Sequence, residues 1–258
     1  MARQRRHSRP SRRRGRFGGL YKALSVLMIT AAIIVACVVF FRVNAIQVEG
    51  NVRYTPEEII DASGIQLGDN LIALSRGRIS AGIRAQLPYV EGVAIHRSYP
   101  DKLVIRVTER VAAASVDSAE GRWLISSQGK LLEKDNGSVG TVQVTGLTAV
   151  GPYAGGMLQV AEEEQATLGY VKELLAAVET HGMLGECSRL ECSSATSITL
   201  HYGIYRIKLP RGGDYDYYVR LALKALEMGL SSGKMQEGQS GLLDLTVTEN
   251  RARFIPDH

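Results

Sequence analysis

Side chains that catalyse reactions or bind metals are present in this sequence, but none stands in a recognisable motif. There is no Gly-x-Ser-x-Gly nucleophile motif, no Walker phosphate loop and no Gly-x-Gly-x-x-Gly dinucleotide loop. Beyond residue 42, histidine occurs at isolated positions: His96, His181, His201 and His258. We therefore predict no catalytic residue, no cofactor and no small-molecule substrate.

Two groups of residues invite a metal-binding or disulfide interpretation. Glu162, Glu163 and Glu164 are adjacent. Adjacent residues point in different directions around a helix, so we interpret them as a solvated acidic helix start. Cys187 and Cys192 would lie about 16 Å apart along a strand, which is too far for a disulfide. We predict free thiols, with Cys192 buried, and no metal site.

The strongest pattern is one uncharged apolar segment, residues 23–41, behind a basic tail. As a helix the segment is about 28 Å long, enough to cross a hydrocarbon core. The eight arginines and Lys22 of residues 1–22 carry +9, whereas the chain carries +5, so the remainder carries −4. Basic flanks stay cytoplasmic, which predicts a single-pass protein with a cytoplasmic N-terminus and an extracytoplasmic C-terminus.

Other interpretations of this N-terminus remain open. Val43-Asn44-Ala45 could be the cleavage site of a signal peptide. Signal peptides have apolar segments of about 7–15 residues, however, and the segment here is longer, so an uncleaved anchor is favoured. The arginine-rich tail could contact nucleic acid, yet it has one aromatic residue, Phe17. We instead predict that residues 1–22 are disordered, set the orientation and contact anionic lipid.

Residues 43–111 predict the order strand, helix, helix, strand, strand. Ile46 and Val48 alternate with polar residues, as in a short strand. Thr55-Pro56-Glu57-Glu58 is a capping box with proline at the first helical position, which predicts a helix over 56–62.

A second helix and a hairpin complete this segment. Ile79, Ile83 and Leu87 share one helical face, and Pro88 ends the helix. Two runs with a period of two then surround the turn Pro100-Asp101. Two short helices can cover one face of a three-stranded sheet, which gives one small core.

Several stretches of this segment resemble a known family. They are Val48-Glu49-Gly50-Asn51, Leu87-Pro88-Tyr89-Val90, Arg97-Ser98-Tyr99-Pro100 and the run 103–110. Just outside a membrane, this pattern resembles the POTRA domain of the FtsQ/DivIB bacterial division proteins. The whole chain is similar to that family in its order of basic tail, single span, POTRA domain and β-rich domain.

Residues 112–258 predict a second unit built on a mixed β-sheet. Trp123 to Leu132 is typical of a hairpin, and Glu162 to Thr180 of a helix. Three strands follow within 189–209, and Asp214 caps another helix. The last clear strand is Leu242 to Thr248, with a short extended piece at Phe254-Ile255. The fold class is α+β, with two helices covering the sheet.

The resemblance implies a non-enzymatic scaffold that assembles the septum by binding other division proteins. It implies that the last strand of the β domain accepts an added strand from an FtsB/DivIC-type partner, which pairs with an FtsL-type protein. The matching residues are Leu243, Asp244, Leu245, Thr246 and Val247, followed by Phe254. It also implies a recruitment surface on the POTRA domain, at Val48, Glu49 and Arg97.

Three alternatives stay open at this point. Leu243 to Val247 could simply be a closing strand of its domain. The protein could be a membrane-tethered POTRA chaperone or secretion adaptor, distributed over the envelope rather than placed at midcell. It could also be a tethered hydrolase of the cell wall, although no carboxylate can be nominated as its catalytic group.

Overall fold

The structure, a computed structural model, describes residues 17–137, 140–236, 238–247 and 251–257. Helix α1 (Phe17–Phe40) begins before the predicted apolar segment. Residues 17–22, which we expected to be disordered, are therefore helical. Residues 1–16, the rest of the predicted tail, lie outside the described residues. Among the described helices, α1 is the one that is long and apolar enough to cross a membrane, over Gly19–Cys37.

The first unit after α1 has the predicted strand and helix order. Its elements are β1 (Ala45–Glu49), α2 (Pro56–Ser63), α3 (Arg76–Gln86), β2 (Val90–Ser98) and β3 (Lys102–Glu109). The strands form a three-stranded sheet in the order β1-β3-β2, with β1 parallel and β2 antiparallel to β3. One core joins the helices to this sheet, and it includes Ile59, Ile83, Leu103 and Ile105.

Local capping explains where the helices of this unit begin and end. The Glu58 N–H donates to the Thr55 hydroxyl at 3.2 Å, and the Thr55 N–H donates to the Glu58 carboxylate at 2.8 Å. This is the predicted capping box, and Gly64 closes α2 in the left-handed conformation at φ 67°. Ser75 caps α3 by one bond only, because its hydroxyl accepts a hydrogen bond from the N–H of Arg78 at 3.4 Å.

The second unit is a nine-stranded sheet that carries two α-helices. Its elements are β4 (Ala114–Ser118), β5 (Gly121–Ile125), β6 (Leu131–Lys134), β7 (Val142–Ala149), α4 (Gln165–Thr180), β8 (Cys187–Glu191), β9 (Ser197–Tyr202), β10 (Tyr205–Pro210), α5 (Tyr215–Ser231), β11 (Gly241–Asp244) and β12 (Arg253–Pro256). The strand order is β12-β11-β10-β9-β8-β7-β4-β5-β6. Pairs β4–β7, β7–β8 and β10–β11 are parallel, and the other pairs are antiparallel. The sheet is therefore mixed, as predicted.

The two faces of this sheet have different surroundings. Helices α4 and α5 cover one face, where Val171 and Val219 join buried strand residues such as Leu190 and Ile207 in one core. On the other face, Leu124 and Leu132 of β5 and β6 pack against Tyr89 of the first unit. The first unit therefore covers one end of the second face and leaves β12 at the other end of the sheet.

Glu133 on β6 is the central polar group of the junction between the units. Its carboxylate accepts hydrogen bonds from the Arg53 guanidinium at 2.7 Å and from the Tyr89 hydroxyl at 2.8 Å. The Arg53 guanidinium also lies 4.0 Å from the centre of the Tyr89 ring. Burial, followed by the hydrogen bond to Glu133, raises the pKa of Tyr89. The Tyr89 hydroxyl therefore remains a hydrogen-bond donor at physiological pH.

Replacing Gly50 by alanine is expected to destabilise the first unit. Gly50 has φ +81°, and a Cβ there would overlap the Val107 carbonyl oxygen. Gly64→Ala is a matched control, since Gly64 also has positive φ but a Cβ added to it would meet no atom within 4 Å. We expect backbone strain alone to cost about 1–3 kcal/mol in the control and clearly more in Gly50→Ala. Urea unfolding followed by circular dichroism measures both, and equal losses would contradict the overlap.

Replacing Glu133 by alanine is expected to loosen the junction without unfolding either unit. The buried Tyr89 hydroxyl would lose its acceptor, at a cost of about 0.5–1.5 kcal/mol, while the half-exposed Arg53 guanidinium can be hydrated and adds little. Amide hydrogen exchange around Arg53 should accelerate. Glu120→Ala is the control, because among the described ion pairs Glu120 contacts only the exposed Lys134 of β6, at 3.5 Å and within the second unit. Equal exchange in both variants would exclude a structural role for Glu133.

Candidate protein-binding edge

The nine-stranded sheet has two outer strands, and they differ in how far they are covered. The Leu131 N–H of β6 donates to the Gly156 carbonyl at 2.8 Å, and the Gly155 N–H donates to the Leu131 carbonyl at 2.9 Å. Glu133 of the same strand contacts the first unit. By contrast, β12 pairs only with β11 within the part of the chain that the structure describes. The open edge of this sheet is therefore β12.

Hydrogen bonds beside β12 establish which of its backbone groups face outward. The Asp257 N–H donates to the Ser240 carbonyl at 3.1 Å, and the Leu245 N–H donates to a carbonyl of β10 at 2.9 Å. Residues of β11 thus alternate in bonding to β12 and to β10, as ladders require. It follows that the N–H and C=O of Phe254 point away from the sheet. Pro256 adds an outward C=O but has no N–H.

The strand predicted over Leu242 to Thr248 is shorter in the structure. Strand β11 ends at Asp244, because the Asp244 carboxylate accepts hydrogen bonds from the Thr246 N–H at 2.8 Å and from the Thr246 hydroxyl at 2.6 Å. This side-chain turn competes with strand pairing. Thr248 lies outside the described residues. Because β12 pairs with β11, Leu243 and Asp244 lie one strand inside the edge, and Leu245, Thr246 and Val247 follow the end of that strand.

The charge of Asp244 supports this turn. Burial alone would raise the pKa of Asp244, but the hydrogen bonds from Thr246 outweigh it, with help from Lys208 and Arg253, and lower the pKa. A lowered pKa means that the ionised carboxylate is stabilised in the folded state. This contribution is present above the pKa of the unfolded chain and is lost as pH falls through the lower folded value.

The six predicted partner residues therefore have different environments. Leu243 and Leu245 are buried, at 2% and 4% exposure, and belong to the core. Val247 is 55% exposed. Phe254 lies on β12 and packs edge-to-face on Tyr205, with ring centres 6.3 Å apart. Only Val247 and Phe254 of these four side chains lie at the surface or on the open edge.

A groove of about 900 Å³ lies between β11, β12 and the second half of α5. Leu243, Met228, Met235 and Phe254 contribute its apolar surface. Every charged residue among its described lining residues is basic: Lys224, Lys234, Arg251 and Arg253. The groove therefore suits a segment with apolar side chains and negative charge.

Sequence reasoning named Phe254 but missed its neighbours on the edge. Ile255 is 40% exposed and pairs with Leu242, and Arg253 is exposed beside it. A strand of four residues is too short for an alternation signal. Composition was the one signal that could have indicated an edge strand. Charged residues and proline are typical of edge strands, and Arg253 and Pro256 are the first and last residues of β12.

The residues predicted as a recruitment surface each have a partner within the first unit. Glu49 forms an ion pair with Arg106 of β3 at 2.8 Å, and Val48 packs against the core. The Arg97 guanidinium donates to the Leu74 carbonyl at 2.5 Å. Since β1 and β2 are opposite outer strands of the small sheet, the structure does not bring these residues into one cluster.

The thiols and the acidic triplet have environments that agree with their predicted roles. Cys187 and Cys192 are unpaired and buried, and burial raises the pKa of each to about 12. Glu162–Glu164 forms a 3-10 turn before α4, and Glu164 accepts a hydrogen bond from the Thr148 N–H at 3.0 Å. Among the described residues, no group of three or more His, Cys, Asp or Glu could hold a metal ion.

Comparison with known proteins agrees with the fold of the first unit. Residues 41–110 match the family model described as the POTRA domain, FtsQ-type. Cell division protein FtsQ of Corynebacterium glutamicum is 31% identical over 121 residues, which are 47% of this chain and 54% of that relative. The match thus spans about half the length of that protein.

Two further relatives align over most of the chain. Cell division protein FtsQ of Syntrophotalea carbinolica is 28% identical over 92% of this chain and 84% of the relative. Cell division protein DivIB of Clostridium tetani is 24% identical over 84% of this chain and 80% of the relative. Residues 41–110 thus match an FtsQ-type POTRA domain, and over most of its length the chain is similar to the FtsQ and DivIB proteins of bacterial cell division.

Proposed function

We propose that the protein is a non-enzymatic, single-pass scaffold of the division septum. In this proposal it binds FtsB/DivIC-type and FtsL-type proteins outside the membrane and thereby helps regulate septal peptidoglycan synthesis. The observation that carries the proposal is the open edge of β12 beside a groove with an apolar surface and basic charges. Such an edge binds an extended segment of another chain through backbone hydrogen bonds and side-chain contacts.

The predicted partner residues contribute to this edge in two ways. Phe254 offers its outward N–H and C=O to an added strand, and Val247 lies on the rim of the groove. The other four residues, within 243–246, hold the strand and turn on which the edge rests. The partner's carboxylates would meet basic groups such as Arg253, which gives the interaction its orientation.

The first unit contributes a second contact surface in this proposal. Val48 and Glu49 lie on β1 and Arg97 lies on β2, the two outer strands of the small sheet. Recruitment to the division site would use one or both of these strands. Their internal contacts, such as the Glu49–Arg106 pair, hold the strands in position for an incoming chain.

The membrane arrangement follows from the charge asymmetry. The basic tail would stay in the cytoplasm and touch anionic lipid, α1 would span the bilayer, and both folded units would lie outside the cell membrane. No nucleic acid and no small-molecule substrate is expected as a partner.

Ile255→Glu is expected to weaken partner binding at least about ten-fold, or about 1.4 kcal/mol. Ile255 is 40% exposed on the open edge, so the change removes an apolar contact for an added strand and places negative charge beside a partner proposed to carry carboxylates. Calorimetric titration of the exterior ends of FtsB/DivIC-type and FtsL-type proteins measures the affinity. A substitution at Ile255 tests the edge more directly than one at Leu245, because the Leu245 N–H is bonded inside the sheet and a change there would also disturb the fold.

Ile204→Glu is the matched control for this titration. Ile204 is 47% exposed in the turn between β9 and β10, and it undergoes the same chemical change away from the edge. The control variant should bind like the unmodified protein. Full binding by Ile255→Glu would exclude β12 as the site, and no binding by the unmodified protein would reject the proposed partners.

Protease added to intact spheroplasts is expected to digest residues 43–258 and to spare a tag placed before residue 1. The reason is that the +9 charge of residues 1–22 keeps the tail in the cytoplasm. Immunoblots for the two ends report the result, and lysed spheroplasts, in which both ends are digested, are the control. Protection of the C-terminal end in intact cells would reverse the proposed orientation.

A further inference from the structure

The first unit is fastened directly to the end of α1. The Leu71 N–H donates to the Phe41 carbonyl at 2.8 Å, and the Asn70 side-chain amide reaches the Cys37 carbonyl at 3.5 Å. Arg42 and Asn70 also form a β-bridge. These contacts come from one turn, residues 70–74, whose position is therefore tied to the last turn of the helix.

This connection determines the depth of the turn if α1 spans a membrane. The apolar span runs over Gly19–Cys37, and its length of about 28 Å is close to the thickness of a hydrocarbon core. The outer boundary of the hydrocarbon lies at Cys37 for this span and one helical turn later, at Phe41, for the uncharged segment 23–41. The turn bonds to the carbonyls of both residues, so in either case it lies at this boundary.

Large apolar side chains are exposed at this same level. Ile72, at the apex of the turn, is 46% exposed, and Tyr99 is 57% exposed. The Tyr99 ring packs edge-to-face on Phe41 at 5.6 Å, which places it beside the helix end. Leu67 is 69% exposed. The N–H of the next residue, Gly68, donates to the Val43 carbonyl at 2.8 Å, which places Leu67 near the helix end. Tyrosine beside aliphatic side chains is typical of a membrane interface.

The charges around these side chains agree with a lipid surface. Arg42 lies two residues after the end of α1, and Arg76 and Arg78 lie in the first turn of α3; all three side chains are exposed. The nearby carboxylates of Asp69 and Asp101 accept hydrogen bonds from groups of their own surroundings. Guanidinium groups at this depth can bind lipid phosphates while their aliphatic stems lie along apolar surface.

We propose that the protein has an interfacial face, formed by Leu67, Ile72, Tyr99 and Arg42, which inserts into the outer headgroup layer of the membrane. Its partner is lipid, and no other protein is needed to cover it. The inference rests on the membrane span in the proposed function and goes beyond it, because it assigns a second membrane contact to the folded part of the chain. The contact holds the first unit at a fixed height and tilt on the bilayer.

Spin labels at Ile72 and Tyr99 test the interfacial face in the full-length protein. Each residue is replaced singly by labelled cysteine in a Cys37→Ser background, while Cys187 and Cys192 remain because they are buried. The protein is placed in nanodiscs of phosphatidylethanolamine and phosphatidylglycerol. Power saturation then compares collisions with oxygen, which enriches in lipid, and with a water-soluble nickel chelate.

Two further labels make the outcomes distinguishable. Ile33 lies within the apolar span, and Val52 is 91% exposed beside the junction with the second unit. We expect the oxygen-to-nickel ratio at Ile72 and Tyr99 to exceed that at Val52 at least about five-fold and to stay below that at Ile33, as suits the interface. Ratios equal to Val52, with Ile33 in lipid, would overturn the interfacial face alone.

The remaining outcomes also decide the question. A water-like ratio at Ile33 would reject the membrane span and the interfacial face together. Labels at Ile72 and Tyr99 that are shielded from both oxygen and nickel would mean that protein covers this surface, and would overturn lipid as its partner. Circular dichroism of each labelled protein against the unmodified chain verifies the fold.

Discussion

One carboxylate, Glu109 at the end of β3, holds the segment on which the arrangement of the two units depends. It accepts hydrogen bonds from three successive backbone N–H groups, those of Val52, Arg53 and Tyr54, at 3.2, 2.6 and 3.3 Å. Charge-assisted bonds of this kind are stronger than neutral ones. The Arg53 side chain is thereby directed to Glu133 of the second unit. Both partners of that ion pair are partly exposed, so the pair adds little to the free energy of folding. Its main effect is to fix the orientation of the first unit on β6.

The first unit thus works as a spacer with a fixed contact at each side. On one side the turn at Asn70 bonds to the end of α1, and on the other the Arg53 segment bonds to β6. β6 and β12 are the two outer strands of the nine-stranded sheet, and eight strand spacings separate them by about 38 Å. The membrane anchor and the proposed partner edge are therefore far apart but joined by a continuous series of packed elements.

The order of the first unit could be predicted because its signals are local. The capping box at Thr55, the proline after α3 and the turn at Pro100 each act within a few residues. The second unit depends on pairing between distant strands, and no local period reveals that β4 lies beside β7. Strand β4 begins within a run of three alanines, which carries no strand signal. The end of β11 was missed because the Asp244–Thr246 hydrogen bonds override an alternating pattern that continues through Val247.

The backbone of β12 constrains what the edge can recognise. Within Arg253–Pro256 the outward groups are one N–H and two C=O, because Pro256 has no N–H to offer. So few backbone bonds give limited affinity, which protects the edge from pairing indiscriminately with other strands. Selective binding must then come from side chains, and the described groove supplies apolar surface with only basic charges. A partner strand that combines apolar residues with carboxylates can form the backbone hydrogen bonds of the edge and also the apolar and ionic contacts of the groove. A neutral or basic strand can form only the backbone hydrogen bonds.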